Sequence, residues 1–148
     1  MRKILTVVAS SVLLLAPLAA PASAAGKGLC STDKMPSFKK VIDVRPGGVG
    51  KATKKRPYGS VTGRYAKLKK NEFNDGYYAP YGGKHTVAFA KKATICVLYS
   101  PKTGGVAMRK VGLPGLRKAV DKPKMNPQWG LRFNAKGRVT LAYQIYAP

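Results

Sequence analysis

Residues His85–Tyr99 read HTVAFAKKATICVLY, the longest run of β-branched and aromatic residues beyond the N-terminus, and they carry Cys96. Turn-rich segments flank the run, Tyr81-Gly82-Gly83 before it and residues 100–105, SPKTGG, after it. Val87, Phe89, Ile95, Val97 and Tyr99 share one parity, the period-two signature of a strand with one buried face. Lys91 falls on that parity and interrupts it. Either a bulge at Lys91-Lys92 resets the phase, or the two lysines form the tip of a hairpin joining Thr86–Ala90 to Ala93–Tyr99. The hairpin is the favoured of the two, although Lys-Lys is poor turn chemistry.

Working outward, the C-terminal hairpin is the clearest element. Trp129, Leu131 and Phe133 alternate with Gly130 and Arg132, and Val139, Leu141, Tyr143 and Ile145 alternate with Thr140, Ala142 and Gln144. The loop Asn134-Ala135-Lys136-Gly137 between them places glycine where a positive φ is useful. Val106–Val111 reads as a strand. Leu113–Lys122 is the one helix candidate, with Pro114 near its start and Leu113, Leu116 and Val120 at helical spacing. At this length, a core-packing helix, or no stable helix, is favoured over a cationic membrane-surface one.

On the N-terminal side, Ser37–Arg45 and Ser60–Leu68 read as strands, with Gly63 suited to a bulge. Between them Pro46-Gly47-Gly48-Val49-Gly50 opens a mobile, solvated loop that runs through residues 51–57, four of which are basic. Lys69–Phe73 admits a single helical turn, Asn74-Asp75-Gly76 is a tight turn, and Tyr77–Tyr81 leads back to the central strand. Short strands, Gly/Pro punctuation and little helix predict an all-β fold, a compact sandwich or small barrel. No internal repeat or linker divides the chain.

Residues 1–24 are set apart. Arg2 and Lys3, the apolar stretch Ile4–Ala16 and the small residues of Ala22-Ser23-Ala24 form the pattern of a cleaved secretory leader. Residues 25–148 are then one exported domain with no membrane-spanning segment. In an oxidising compartment the only two cysteines, Cys30 and Cys96, are expected to pair.

Charge narrows the function. The chain has 28 Lys+Arg against 5 Asp+Glu. Loss of Arg2 and Lys3 with the leader leaves 26 against 5, about +21. Such a surplus repels itself and attracts anionic polymers. Lysine dominates it, which favours sequence-tolerant attraction over bidentate reading of particular groups.

Residue supply excludes much chemistry. One histidine and two paired cysteines leave no ligand set for zinc or another metal. No GxSxG elbow occurs, and Glu72 and Asp75, the only close carboxylates, sit among lysines they can neutralise. No cofactor motif is present, and nothing sets an oligomeric state. One enzyme class has its parts. A metal-free ribonuclease could use Glu72 as base, His85 as acid, and Arg64, Lys70 or Lys84 to hold the phosphate.

The segment 54–84 is better suited to binding. It interleaves Lys54, Lys55, Arg56, Arg64, Lys67, Lys69, Lys70 and Lys84 with Tyr58, Tyr65, Phe73, Tyr77, Tyr78 and Tyr81. Cations that track a backbone and rings that stack are what single-strand grooves use. The sequence therefore predicts a secreted cationic protein that binds an extracellular polyanion: a cell-wall polymer, an acidic glycan or lipid surface, or nucleic acid. Ribonuclease action is one alternative. Action as a secreted inhibitor or antimicrobial toxin on a protein or membrane target is the other.

Overall fold

The computed structural model describes residues 28–70, 76–123 and 125–145. The expected leader and Glu72, Phe73 and Asp75 lie outside them. Seven strands and one helix follow in chain order: β1 Lys40–Asp43, β2 Val49–Gly50, β3 Ser60–Lys70, β4 Gly76–Tyr99, β5 Ala107–Val111, α1 Leu113–Asp121, β6 Gln128–Phe133 and β7 Val139–Gln144. The described residues are mostly β, as the sequence predicts, with one helix and one disulfide among them.

Strand β4 has 24 residues, against the usual 3–10 for a strand. It reaches that length by serving three partners. β3 runs antiparallel along Gly76–Ala88, β7 runs parallel at Phe89 and Thr94–Cys96, and β5 runs antiparallel along Ile95–Tyr99. Lys91-Lys92 is therefore not a hairpin tip. The two lysines are exposed inside a continuous strand, where five steps from Phe89 to Thr94 face only two from Val139 to Leu141. The extra residues form an irregularity in the pairing with β7, but the phase of β4 is kept, since Val87, Phe89, Ala93, Ile95 and Val97 all face the main core. A second irregularity lies where Gly82-Gly83 are left over opposite the Arg64/Tyr65 step.

The pairings close a circuit. β1 lies antiparallel to both β3 and β6, β6 to β7, β7 parallel to β4, and β4 antiparallel to β3. β2 and β5 add to the outside of β3 and β4. β2 lies within the stretch assigned to loop: Val49 is buried and pairs with Val61, which the glycines around it do not prevent.

Ile42, Val44, Val61, Phe89, Ile95, Val97, Trp129, Leu131 and Val139 form the main core. Leu116 and Val120 of α1 close onto it, so the helix is a packing element, with Pro114 in its first turn. The alternation expected along β7 is broken. Val139 and Ala142 face the main core, whereas Leu141 and Tyr143 join a second cluster with Cys96, Cys30, Phe38 and Met108. The cause is a one-residue register shift opposite Arg132/Phe133, which leaves Thr140 unmatched.

The Cys30–Cys96 disulfide crosses this second cluster and ties the lead-in segment to β4. It is compatible with an extracellular location. Among the described residues no helix is long and apolar enough to cross a membrane.

Replacing both cysteines by alanine should lower unfolding free energy by about 2–5 kcal/mol in urea titration. Burial pushes the Tyr143 phenol above its ordinary value of 10.0. Below pH 10 both folded and unfolded chains keep it neutral. Above that the unfolded chain ionises first, so its share of stability should be lost as pH rises through the folded value. Tyr143→Phe should flatten that alkaline fall, while losing the hydroxyl's bond to the Ser31 carbonyl, a cost of about 1 kcal/mol at neutral pH.

Candidate functional site

β3 and β4 form a two-stranded arm whose outer half, Tyr65–Lys70 paired with Gly76–Tyr81, is bonded only within itself apart from Tyr65 and Ala66, which also meet β1. Two residues are inserted at Gly82-Gly83, an even number, so face parity is kept from end to end. One face therefore carries Val61, Gly63, Tyr65, Lys67 and Lys69 beside Val87, His85, Tyr81, Ala79 and Tyr77. At its inner end this face is core. Further out it emerges into solvent.

Contacts along that face agree with the parity. The Tyr65 and His85 rings lie 4.6 Å apart, tilted by 30°. Lys67 Nζ sits 4.7 Å from the Tyr81 ring centre. Lys40, on β1, places its ammonium 5.0 Å from the Tyr65 ring and 5.6 Å from the Phe133 ring. Tyr77 and Tyr81 are 50% and 44% exposed, large rings left in water where a ligand can reach them. The result is a row of rings with ammonium groups between them.

The other face carries different residues. Thr62 and Thr86 share a hydroxyl hydrogen bond of 2.8 Å. Arg64 stands opposite Lys84, and beyond them come Ala66 and Tyr78. Tyr78 packs with Val41, Ala66, Phe38 and Ile145, so it is a structural ring and not part of the exposed row. Lys70 belongs to this face by parity. Arg64 Nε donates to the Gly82 carbonyl at 2.9 Å. Arg64 and His85 thus point to opposite sides of the arm, and Glu72 lies outside the described residues.

Lys54, Lys55 and Arg56 lie on the loop between β2 and β3. Thr53 and Arg56 exchange backbone hydrogen bonds of 3.1 Å, and the Thr53 hydroxyl also accepts the Arg56 N–H. The loop has a turn of its own, in place of the slack segment its composition suggests. Lys54 and Lys55 are exposed at its tip, and Tyr58 is 37% exposed where it returns to β3.

Sequence reasoning missed Lys40, Phe133 and Arg45. Lys40 shares parity with the buried Ile42 two residues on, a usable sign that it borders a core face, but nothing local connects it to residue 65. Arg45 is 70% exposed, while its partner Asp43 is 3% exposed. Arg45 Nε and Nη2 donate to the two Asp43 oxygens at 2.6 and 3.1 Å, and Gln128 Nε2 adds a third bond at 3.2 Å. Among the described residues no group of three His, Cys, Asp or Glu side chains could hold a metal.

No protein-family model, curated protein or solved structure matches this chain.

Gly63 brings β1 and β3 close beneath this site. A Cβ there would stand 2.2 Å from the Asp43 carbonyl oxygen, a backbone atom held in two ladders. Gly63→Ala should destabilise by about 1–3 kcal/mol in thermal or urea unfolding. Gly83→Ala, with nothing within 4 Å, should be nearly silent.

Proposed function

We propose that this chain is a secreted binding protein that holds an extended anionic polymer along the exposed ring-bearing face of the β3–β4 arm. The observation that carries this is the alternation of Tyr65, Lys67, Tyr81, Lys69 and Tyr77, with His85 and Lys40, on one side of two paired strands. Cations neutralise charge on the polymer while ring faces stack on its bases or sugars. The Lys54-Lys55-Arg56 turn extends the positive field. No bond chemistry is needed: release of condensed counterions drives the association.

The circuit of pairings supports the same location. Its five strands run in the order β1-β3-β4-β7-β6, with one parallel pair and a helix between the third and fourth strands. We infer a small barrel of the oligonucleotide- and oligosaccharide-binding kind. In such barrels the second and third strands and the loop before them form the binding face. Here those are β3, β4 and the loop carrying Lys54–Arg56. Fold alone does not assign function, and the ring–cation row makes the case. Single-stranded nucleic acid, with stacking bases on a charged backbone, is the polymer whose chemistry suits it most directly. Acidic glycans and wall polymers offer the same chemistry with sugar faces in place of bases.

Fluorescence anisotropy of the disulfide-bonded protein with a short single-stranded RNA, across a salt series, tests the reading. Affinity should fall steeply with salt, and gels should show the RNA intact. Lys67→Gln with Lys69→Gln should reduce the log–log salt slope by about 1.4, since each single-strand phosphate contact contributes about 0.7. Tyr77→Ala and Tyr81→Ala should each weaken binding by about 1–3 kcal/mol with little change in slope. Salt-insensitive affinity would refute the proposal, and cleaved RNA would replace it with ribonuclease action.

A further inference from the structure

The side of the arm away from the rings holds a cleft of about 380 Å³ whose lining includes Arg45, Arg64, Lys84, Thr62 and the backbone of Gly47 and Gly48. Asp43, Arg64 and Lys84 occupy one register row across β1, β3 and β4. Like charges directly opposite one another destabilise a sheet. Arg64 and Lys84 stand in that relation, and neither has an acidic partner among the described residues. Asp43 is the one carboxylate lining the cleft, and it is already engaged. It is buried, and its oxygens take two Arg45 bonds and one from Gln128. Asp121, nearby on α1, uses its Oδ1 to accept the Gly47 N–H at 2.8 Å.

Two guanidinium groups are thereby fixed with donors to spare. Arg45 is oriented by the buried carboxylate and Arg64 by the Gly82 carbonyl, and each side chain has five N–H donors in a planar fork. Such forks match the oxygens of a phosphoryl group, and little further ordering is needed for it to bind. The backbone at Gly48 lies so close to β3 that a Cβ there would stand 2.6 Å from the Thr62 carbonyl oxygen, while a Cβ at Gly47 would meet nothing within 4 Å.

We propose that this cleft binds a single dianionic phosphoryl group, either free phosphate or the terminal phosphomonoester of a larger molecule. Arg45 and Arg64 hold its oxygens, and Lys84 supplies the third charge. The site is separate from the ring-bearing face and does not depend on that face binding a polymer.

Calorimetry and amide chemical shifts of the disulfide-bonded protein, titrated with inorganic phosphate at constant ionic strength, test it. Binding should saturate at one site, with shifts centred on Gly48, Thr62 and Arg64. Arg64→Gln and Lys84→Gln should each lower affinity about tenfold or more, while Lys102→Gln with Lys110→Gln, two exposed lysines away from both faces of the arm, should leave it unchanged. Non-saturating shifts, or equal losses in both sets of variants, would overturn the site in favour of diffuse charge. A 5′-phosphorylated oligonucleotide distinguishes the sources. If it competes with phosphate and its unphosphorylated twin does not, the ligand is a terminal phosphomonoester; if neither competes, it is free phosphate; equal competition by both would overturn the site in favour of diffuse charge. Failure of RNA binding with phosphate binding intact would remove only the polymer reading.

Discussion

Ile95–Leu98 is shut away from solvent in nearly every direction, and most of the structure follows from that. All four side chains are buried, so both faces of β4 are covered there. β5 runs along one edge and β7 along the other. The parallel ladder with β7 ends at Cys96, but the Leu98 N–H is still satisfied, because the buried Gln144 side chain accepts it at 3.0 Å and donates to the Asn126 carbonyl at 2.9 Å. A strand enclosed in this way must be apolar at consecutive positions, which is why residues 95–98 read ICVL and not as an alternating pattern. The disulfide leaves from the same segment and holds residues 28–38 over the face opposite the main core.

Enclosing one end of β4 also determines what its other end can do. Its N-terminal half pairs on only one side, with β3, and the two strands continue past the circuit as an arm. A free two-stranded ribbon is marginal by itself in water. This one is anchored by the core at its inner end and by the packing of Tyr78 and Ala66 on Val41 and Phe38. Tyr77 and Tyr81 lie on the opposite face from that packing and stay exposed.

What could be read from the chain depended on whether the deciding contacts were local. The C-terminal hairpin, the helix at Leu113 and the Cys30–Cys96 bond were legible, since period, turn residues and cysteine count each speak without knowledge of neighbours. The bulges were not. At Lys91-Lys92 the pattern is interrupted in sequence, but only the structure shows that the chain continues through it as one strand, with the irregularity confined to the pairing with β7. Thr140 gave no warning, because Val139, Leu141 and Tyr143 alternate perfectly in sequence while facing different clusters. β2 was hidden because its two residues are held by pairing with Val61 and Ser60, and not by any propensity of Val49-Gly50. The site followed the same rule. Residues 54–84 stood out by composition, whereas Lys40 and Arg45 join them only through the β1–β3 ladder.

The parity of the arm turns one compositional signal into two surfaces. Read linearly, residues 64–70 and 77–84 are a single basic and aromatic patch. On paired strands their side chains diverge, the rings going with Lys67 and Lys69, and Arg64 and Lys84 going to the back. The two faces remain electrostatically joined, since screening at physiological salt acts over about 8 Å and a two-stranded ribbon is of comparable thickness. Long-range attraction therefore cannot tell one face from the other, and any anion near the arm feels both. Under the proposed reading, selection would come from what differs at contact range: exposed rings on one side, and hydrogen-bonded guanidinium forks around a glycine-lined cleft on the other. A protein with so large a positive charge gains little specificity from charge, so under the proposed reading specificity would come from the shapes of the arm's two faces.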